Sequence, residues 1–169
     1  EVRFYDRMWV VITNINGKLI NLQLNCGSST FEKNKYFENN FNIDNNKDYT
    51  VTQISYDHTS GFNLLSDGNV DSFGDNFAGL LGIGSDNKGE EIDSAKIIFL
   101  NKVVIMASSN MMAICKTENG DFYAWGEASE KILPVDLSIH KPDDCGDFIT
   151  PVICSNMPKD VISIKFSTT

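Results

Sequence analysis

The stretch GFNLLSDGNVDSFGDNFAGLLGIG, residues 61 to 84, places six glycines in 24 residues. Glycine at that density can cradle a phosphate, because a backbone without Cβ approaches an anion closely and offers it N–H groups. That chemistry needs further parts. A P-loop continues into Gly-Lys-Ser/Thr, and a dinucleotide site spaces its glycines G-x-G-x-x-G ahead of a helix. Here GLLGIG (79–84) is spaced G-x-x-G-x-G, no Gly-Lys-Ser/Thr occurs, and no helical pattern follows. The glycines therefore read as backbone hinges and close-packing points, and no cofactor is expected.

Other reactive groupings are equally incomplete. YDHTS (56–60) sets Asp57, His58 and Ser60 close in sequence, but a catalytic triad is a spatial arrangement and this cluster reads as a strand-edge turn. DDCGD (143–147) is acidic enough to attract a cation, yet it lacks the 12-residue loop of an EF-hand and reads as a solvated loop. The four cysteines, Cys26, Cys115, Cys145 and Cys154, form no CxxC pair, and neither histidine has a second ligand at metal spacing. Cys115 follows Ile114 in an apolar run and reads as a small buried hydrophobe, whereas Cys145 sits in a polar loop. No catalytic and no metal-binding residue is assigned, and the expectation is a protein without covalent enzymatic activity.

Composition narrows the partner. With 169 residues, 41% hydrophobic and 22% charged, the chain can fold as one domain with a core. The net charge of -9 and the absence of a Lys/Arg cluster argue against direct nucleic-acid binding. No apolar stretch reaches the length of a membrane span, and unpaired cysteines fit a reducing compartment, nucleus or cytoplasm. The chain opens at Glu1 without a methionine or signal peptide, which reads as a segment of something longer. Residues 28–49, densest in asparagine, read as an insertion loop.

The elements that organise these residues come from a repeat. LLSDGNVDSFGDN (64–76) recurs fifty-two residues later as CKTENGDFYAWGEA (115–128), so that Gly68 falls on Gly120, Val70 on Phe122, Phe73 on Trp125 and Gly74 on Gly126. Fifty-one residues earlier WVVITNINGKLINLQ (9–23) repeats the hairpin around Gly17, with Gln23 in place of the second glycine. VTQIS (51–55) falls on VVIMA (103–107), and VISIKF (161–166) continues that series after 58 residues. Each unit reads as strands around an Asn-Gly or Asp-Gly turn. IIFLNKVVIMA (97–107) is β-branched and reads as strand, EASEKIL (127–133) as a helical turn at most, and Met106, Met111 and Met112 as packing between sheets. The units are 1–50, 51–102 and 103–160, with a fourth starting at 161–169. The fold class expected is all-β: a β-propeller segment of about three four-stranded blades.

On these residues the chain resembles the regulator of chromosome condensation (RCC-type) repeat. That pattern is an apolar strand, an Asp-Gly turn, a strand ending in Trp-Gly or Phe-Gly, then Asn and a Gly-x-Leu-Gly-x-Gly tail. It is carried by Asp67-Gly68, Phe73-Gly74, Asn76, Gly79, Leu81-Gly82 and Gly84, and again by Gly120 and Trp125-Gly126. TPVICSNMPKDVISI (150–164) resembles the link between such repeats. After Trp125-Gly126 the chain reads EASEKILP, without the glycine tail, and the first unit keeps only its hairpin. WD-repeat and kelch signatures are absent. The resemblance implies a seven-bladed ring, of which this chain supplies part, the other blades coming from the same propeller or other chains. It also implies a protein-interaction module within a larger regulatory protein; the alternative it implies is a guanine-nucleotide exchange factor for a Ran-like small GTPase. No functional residue is carried over.

Overall fold

The computed structural model describes residues 2–5, 9–13, 19–25, 30–33, 51–57, 60–84, 89–97, 100–109, 111–127 and 134–166. They form three antiparallel four-stranded sheets, each built from consecutive strands. The first contains β1 (Val2–Tyr5), β2 (Trp9–Thr13), β3 (Leu19–Asn25) and β4 (Thr30–Lys33). The second contains β5 (Val51–Asp57), β6 (Ser60–Leu65), β7 (Val70–Asp75) and β8 (Glu91–Lys96). The third contains β9 (Val103–Ser108), β10 (Met112–Thr117), β11 (Phe122–Glu127) and β12 (Asp147–Ile153). Such up-and-down sheets stacked by a sequence repeat are the blades of a β-propeller.

The period survives in the strands. β5, β6 and β7 begin 52 residues before β9, β10 and β11, and β2 and β3 begin 51 residues before β6 and β7. Only the fourth strands drift, because the connection between third and fourth strands differs in length from blade to blade. It is short in the first blade, glycine-rich in the second and longest in the third.

Local chemistry explains the hairpins. In the second blade the Leu65 N–H donates to the Asn69 carbonyl at 2.9 Å, enclosing the three-residue loop Ser66-Asp67-Gly68. Thr117 donates to the Asp121 carbonyl at 2.9 Å around Glu118-Asn119-Gly120 in the third. A three-residue loop needs a left-handed residue in its last position, and Gly68 (φ 82°) and Gly120 (φ 87°) supply it without a Cβ penalty. Asp67 Oδ1 accepts the Asn69 N–H at 2.9 Å and stiffens the first turn.

The core lies between the second and third sheets. Phe62, Leu64, Val70 and Ile97 from one meet Met106, Ala113, Cys115 and Trp125 from the other, all nearly solvent-free. At about 25 cal/mol per Å² of apolar area removed from water, a continuous seam of this kind is the principal force joining two blades.

Four expectations need correction. Residues 97–107 are not one strand: β8 ends at Lys96, β9 starts at Val103, and the chain between turns through Lys102 at φ 55°. The reading of 28–49 as loop is interrupted by β4 at Thr30–Lys33, which pairs with β3. Residues 161–166 carry no strand. Their equivalents in β9 are strand because β10 pairs with them, and among the described residues nothing plays that part for 161–166. Met111 is 48% exposed, whereas Met106 and Met112 are buried. The helical turn read at 127–133 lies outside the described residues except for Glu127, which ends β11.

Candidate functional site

The glycine-rich segment leaves β7, makes a short 3-10 turn at Phe77–Gly79 and crosses to the third blade, where the turn lies against β11 and β12. Asn76 organises this crossing from a fully buried position. Its Oδ1 accepts the Leu81 N–H at 3.0 Å, and its backbone carbonyl accepts the N–H groups of Gly79 (3.2 Å) and Gly89 (2.9 Å). The indole Nε1–H of Trp125 then donates to the Leu80 carbonyl at 2.6 Å. Trp125 also meets the edge of Phe62, ring centroids 5.8 Å apart and planes at 77°. The loop of one blade is thus latched to the central aromatic of the next.

The glycines named from the sequence fall on this architecture in three ways. A Cβ at Gly82 (φ 71°) would sit 2.8 Å from Trp125 Nε1, and one at Gly79 (φ 70°) would enter the backbone and side chain of Ile149. Gly68 and Gly126 are similarly tight: a Cβ would meet the Lys102 Cα at 2.8 Å, or the Met111 carbonyl and, at 2.9 Å, the Met112 Cα. Gly84 (φ 107°) and Gly120 have room, so there the backbone angle alone asks for glycine. Gly84 still donates its N–H across the seam to the Ile149 carbonyl at 3.1 Å. Gly74 (φ 97°) is paired with Ser60, and Phe73 is 2% exposed on the same strand.

Two groups that sequence reasoning passed over complete the seam. The Gln53 side chain on β5 reaches Met106 on β9, its Oε1 accepting the Met106 N–H at 3.1 Å and its Nε2 donating to the Met106 carbonyl. Met106 therefore turns both backbone groups away from β10, and Gln53 satisfies an exposed sheet edge as a partner strand would. Ser55 and Ser108 share a hydrogen bond at 2.7 Å beside it. The second group is Lys116 on β10, whose Nζ donates to the carbonyls of Lys159 and Val161, both at 2.7 Å. The signal for Gln53 was its place in a strand where the third blade has Ile105. For Lys116 there was none, since a lysine in a strand is usually solvated.

The remaining chemical candidates resolve into structural uses. Ser60 Oγ donates to the Asp75 carbonyl at 2.6 Å; His58 lies outside the described residues, and no triad is assembled from Ser60. Asp143 Oδ1 accepts the N–H groups of Cys145 and Asp147, each at 2.9 Å, which makes DDCGD a self-closing turn. Among the described residues no three His, Cys, Asp or Glu side chains converge on a metal-sized site. Burial pushes the Cys115 thiol up out of its ordinary range, and burial likewise pushes Cys154 up to about 12, so neither is a nucleophile at neutral pH. Cys26 lies outside the described residues, and Cys145 is exposed. No helix among the described residues is long and apolar enough to cross a membrane.

What is left to function is loop surface. At the turn end of the seam, Asn101, Lys102, Thr117, Asn119, Asp121 and Tyr123 line an open polar recess. Lys102 pairs with Glu118 at 3.6 Å on its rim, with both side chains about two-thirds exposed. Such an arrangement holds recognition groups on a rigid support and activates none of them.

No protein-family model matches the chain, and no curated protein matches its sequence. Its fold is shared with solved structures. Yeast RCC1 (Prp20) in a complex with Kap60 aligns over 92% of this chain with a TM-score of 0.66 and 15% identity. Prp20p from Saccharomyces cerevisiae, described together with its binding to Gsp1p and histones, aligns over 92% with a TM-score of 0.67 and 15% identity. Human WBSCR16 aligns over 90% with a TM-score of 0.59 and 12% identity. The chain spans only 37 to 38% of the length of these structures. It therefore has the RCC1-type β-propeller fold and corresponds to part of such a propeller.

Proposed function

We propose that this chain is a protein-interaction module of an RCC1-type propeller, acting within a larger regulatory protein in the nucleus or cytoplasm. The observation that supports it most is the division of labour in the blades. Every buried polar group described at the second seam is spent on holding blades together, while both ends of the sheets are given to exposed loops. A rigid disc with variable loops recognises protein surfaces and needs no covalent chemistry. The fold does not name the ligand, so the partner class rests on the structural neighbours, which are described with Kap60, Gsp1p and histones.

A second reading, guanine-nucleotide exchange on a Ran-like small GTPase, is favoured by the Gsp1p binding described for one neighbour. It would work by a loop that weakens phosphate and magnesium contacts and so selects the nucleotide-free state. One experiment separates the readings: the chain is mixed with Ran-like GTPase carrying fluorescent GDP, and binding and release are followed together. Saturable binding without faster release supports the module, and accelerated release supports the exchange factor. Binding to neither the GTPase, core histones nor a Kap60-type carrier would remove the partner class taken from the neighbours.

A further inference from the structure

Residues 161–166 are extended, lack a ladder, and are nevertheless held in place. Lys116 Nζ grips the carbonyls of Lys159 and Val161, and the same ammonium lies 5.8 Å over the Phe122 ring. Lys116 and Phe122 are cross-strand partners, so the segment lies over the face of the third blade that points away from the second. Lys159 passes beside Gly120, as Lys102 passes beside Gly68 one blade earlier. The start of β9 sits on the second blade in the same way, through the Val103 N–H donated to the Gly68 carbonyl at 2.9 Å.

The correspondence extends along the segment. Adding 58 to each number places Val161 on Val103, Ile162 on Val104, Ser163 on Ile105 and Ile164 on Met106. Val103 and Met106 are buried and Val104 is 49% exposed; Val161 and Ile164 are half-buried and Ile162 is 92% exposed. The order of exposure is the same, shifted toward solvent throughout. Val161 and Ile164 already pack on the core of the third blade. What β9 has and 161–166 lacks is a neighbouring hairpin.

We propose that residues 161–166 are a preformed docking strand that takes up a β-hairpin of the repeat's own kind: two apolar strands around a Gly-ended turn, the second ending in an aromatic–glycine pair. Lys116 positions the strand, and the incoming hairpin completes a fourth sheet by strand addition. The register follows from Met106. Because its N–H and carbonyl face Gln53, the groups of Ile105 and Ala107 face β10. By the same offset Ser163 and Lys165 present their N–H and carbonyl groups to the hairpin. The neighbouring structures, of which this chain spans 37 to 38%, leave length for further repeats of this type.

The test uses the 169-residue chain and a probe copied from its own best repeat, residues 111–127, crosslinked at its ends because a lone hairpin is marginal in water. Hydrogen exchange is read residue by residue. At a probe concentration about 100 times the dissociation constant, the amides of Ser163 and Lys165 should exchange about 100-fold more slowly. Ser163→Pro removes one of those donors at an exposed position, so it should abolish probe binding while leaving the denaturation midpoint of the chain unchanged. Lys116→Met, which keeps the apolar stem, should weaken binding at least tenfold. Absence of binding, or binding without protection at 163 and 165, overturns the proposal. So does protection of 163 and 165 in the chain alone that rises with its concentration, which would assign the strand to a second copy.

Discussion

Trp125→Phe tests whether the blades are latched as the seam geometry implies. The substitution keeps an aromatic plug of the kind that Phe73 provides one repeat earlier, and it removes the indole N–H that bonds the Leu80 carbonyl at 2.6 Å. Leu80 is 3% exposed, so water does not readily replace the lost donor. A buried carbonyl left without its partner costs about 1–3 kcal/mol. The smaller ring leaves a void beside Phe62 and Gly82, adding about 1 kcal/mol. The sum, about 2–4 kcal/mol, should lower Tm by roughly 5–15 °C for a chain of this size. Urea denaturation followed by far-ultraviolet circular dichroism measures the loss, and hydrogen exchange at residues 79–84 locates it. A loss under about 0.5 kcal/mol, the level of an ordinary surface change, would refute the claim that this bond joins the blades. Loosening of the β6–β7 hairpin instead of 79–84 would refute the assignment of the latch to the glycine loop.

Gly82→Ala should destabilise the chain by about 1–3 kcal/mol more than Gly84→Ala, because both strain a left-handed backbone but only the first drives a Cβ into the indole; the two denaturant midpoints measure this directly. Gln53→Ala should cost about 1–3 kcal/mol by stranding both backbone groups of Met106, and should speed exchange of the Met106 amide. Asp136 is held below the usual carboxylate range by hydrogen bonds from the Ser138 hydroxyl and backbone N–H. A depressed carboxylate pKa contributes stability at pH above the unfolded value and loses it as pH falls through the folded value. Carboxyl NMR titration should therefore place Asp136 below an ordinary aspartate, and Ser138→Ala should move it back up.

The amino-acid sequence determined the elements that depend on neighbours along the chain. Glycine at 68 and 120, after two turn-forming residues, sets a three-residue hairpin wherever it falls. The spacing of those hairpins carried the blade period, and the apolar alternation of β6 and β10 marked sheets buried on both faces. Even the start of a further unit at 161 was legible, as a repeat position if not as a strand. The candidate surface was legible only as an exclusion, since the incomplete phosphate, triad and metal patterns removed those chemistries without indicating which loops remain.

Tertiary structure decided what each face of a blade meets. The Trp125–Leu80, Gln53–Met106 and Lys116–Val161 contacts join residues 45, 53 and 45 positions apart. A strand's side chains alternate regardless of what lies beyond them, so no local pattern distinguishes a lysine facing water from one facing a strand of the next repeat. That choice is made only when sheets stack. Whether 161–166 forms a ladder is decided at the same level, because a β-strand is defined by a partner and not by its own residues.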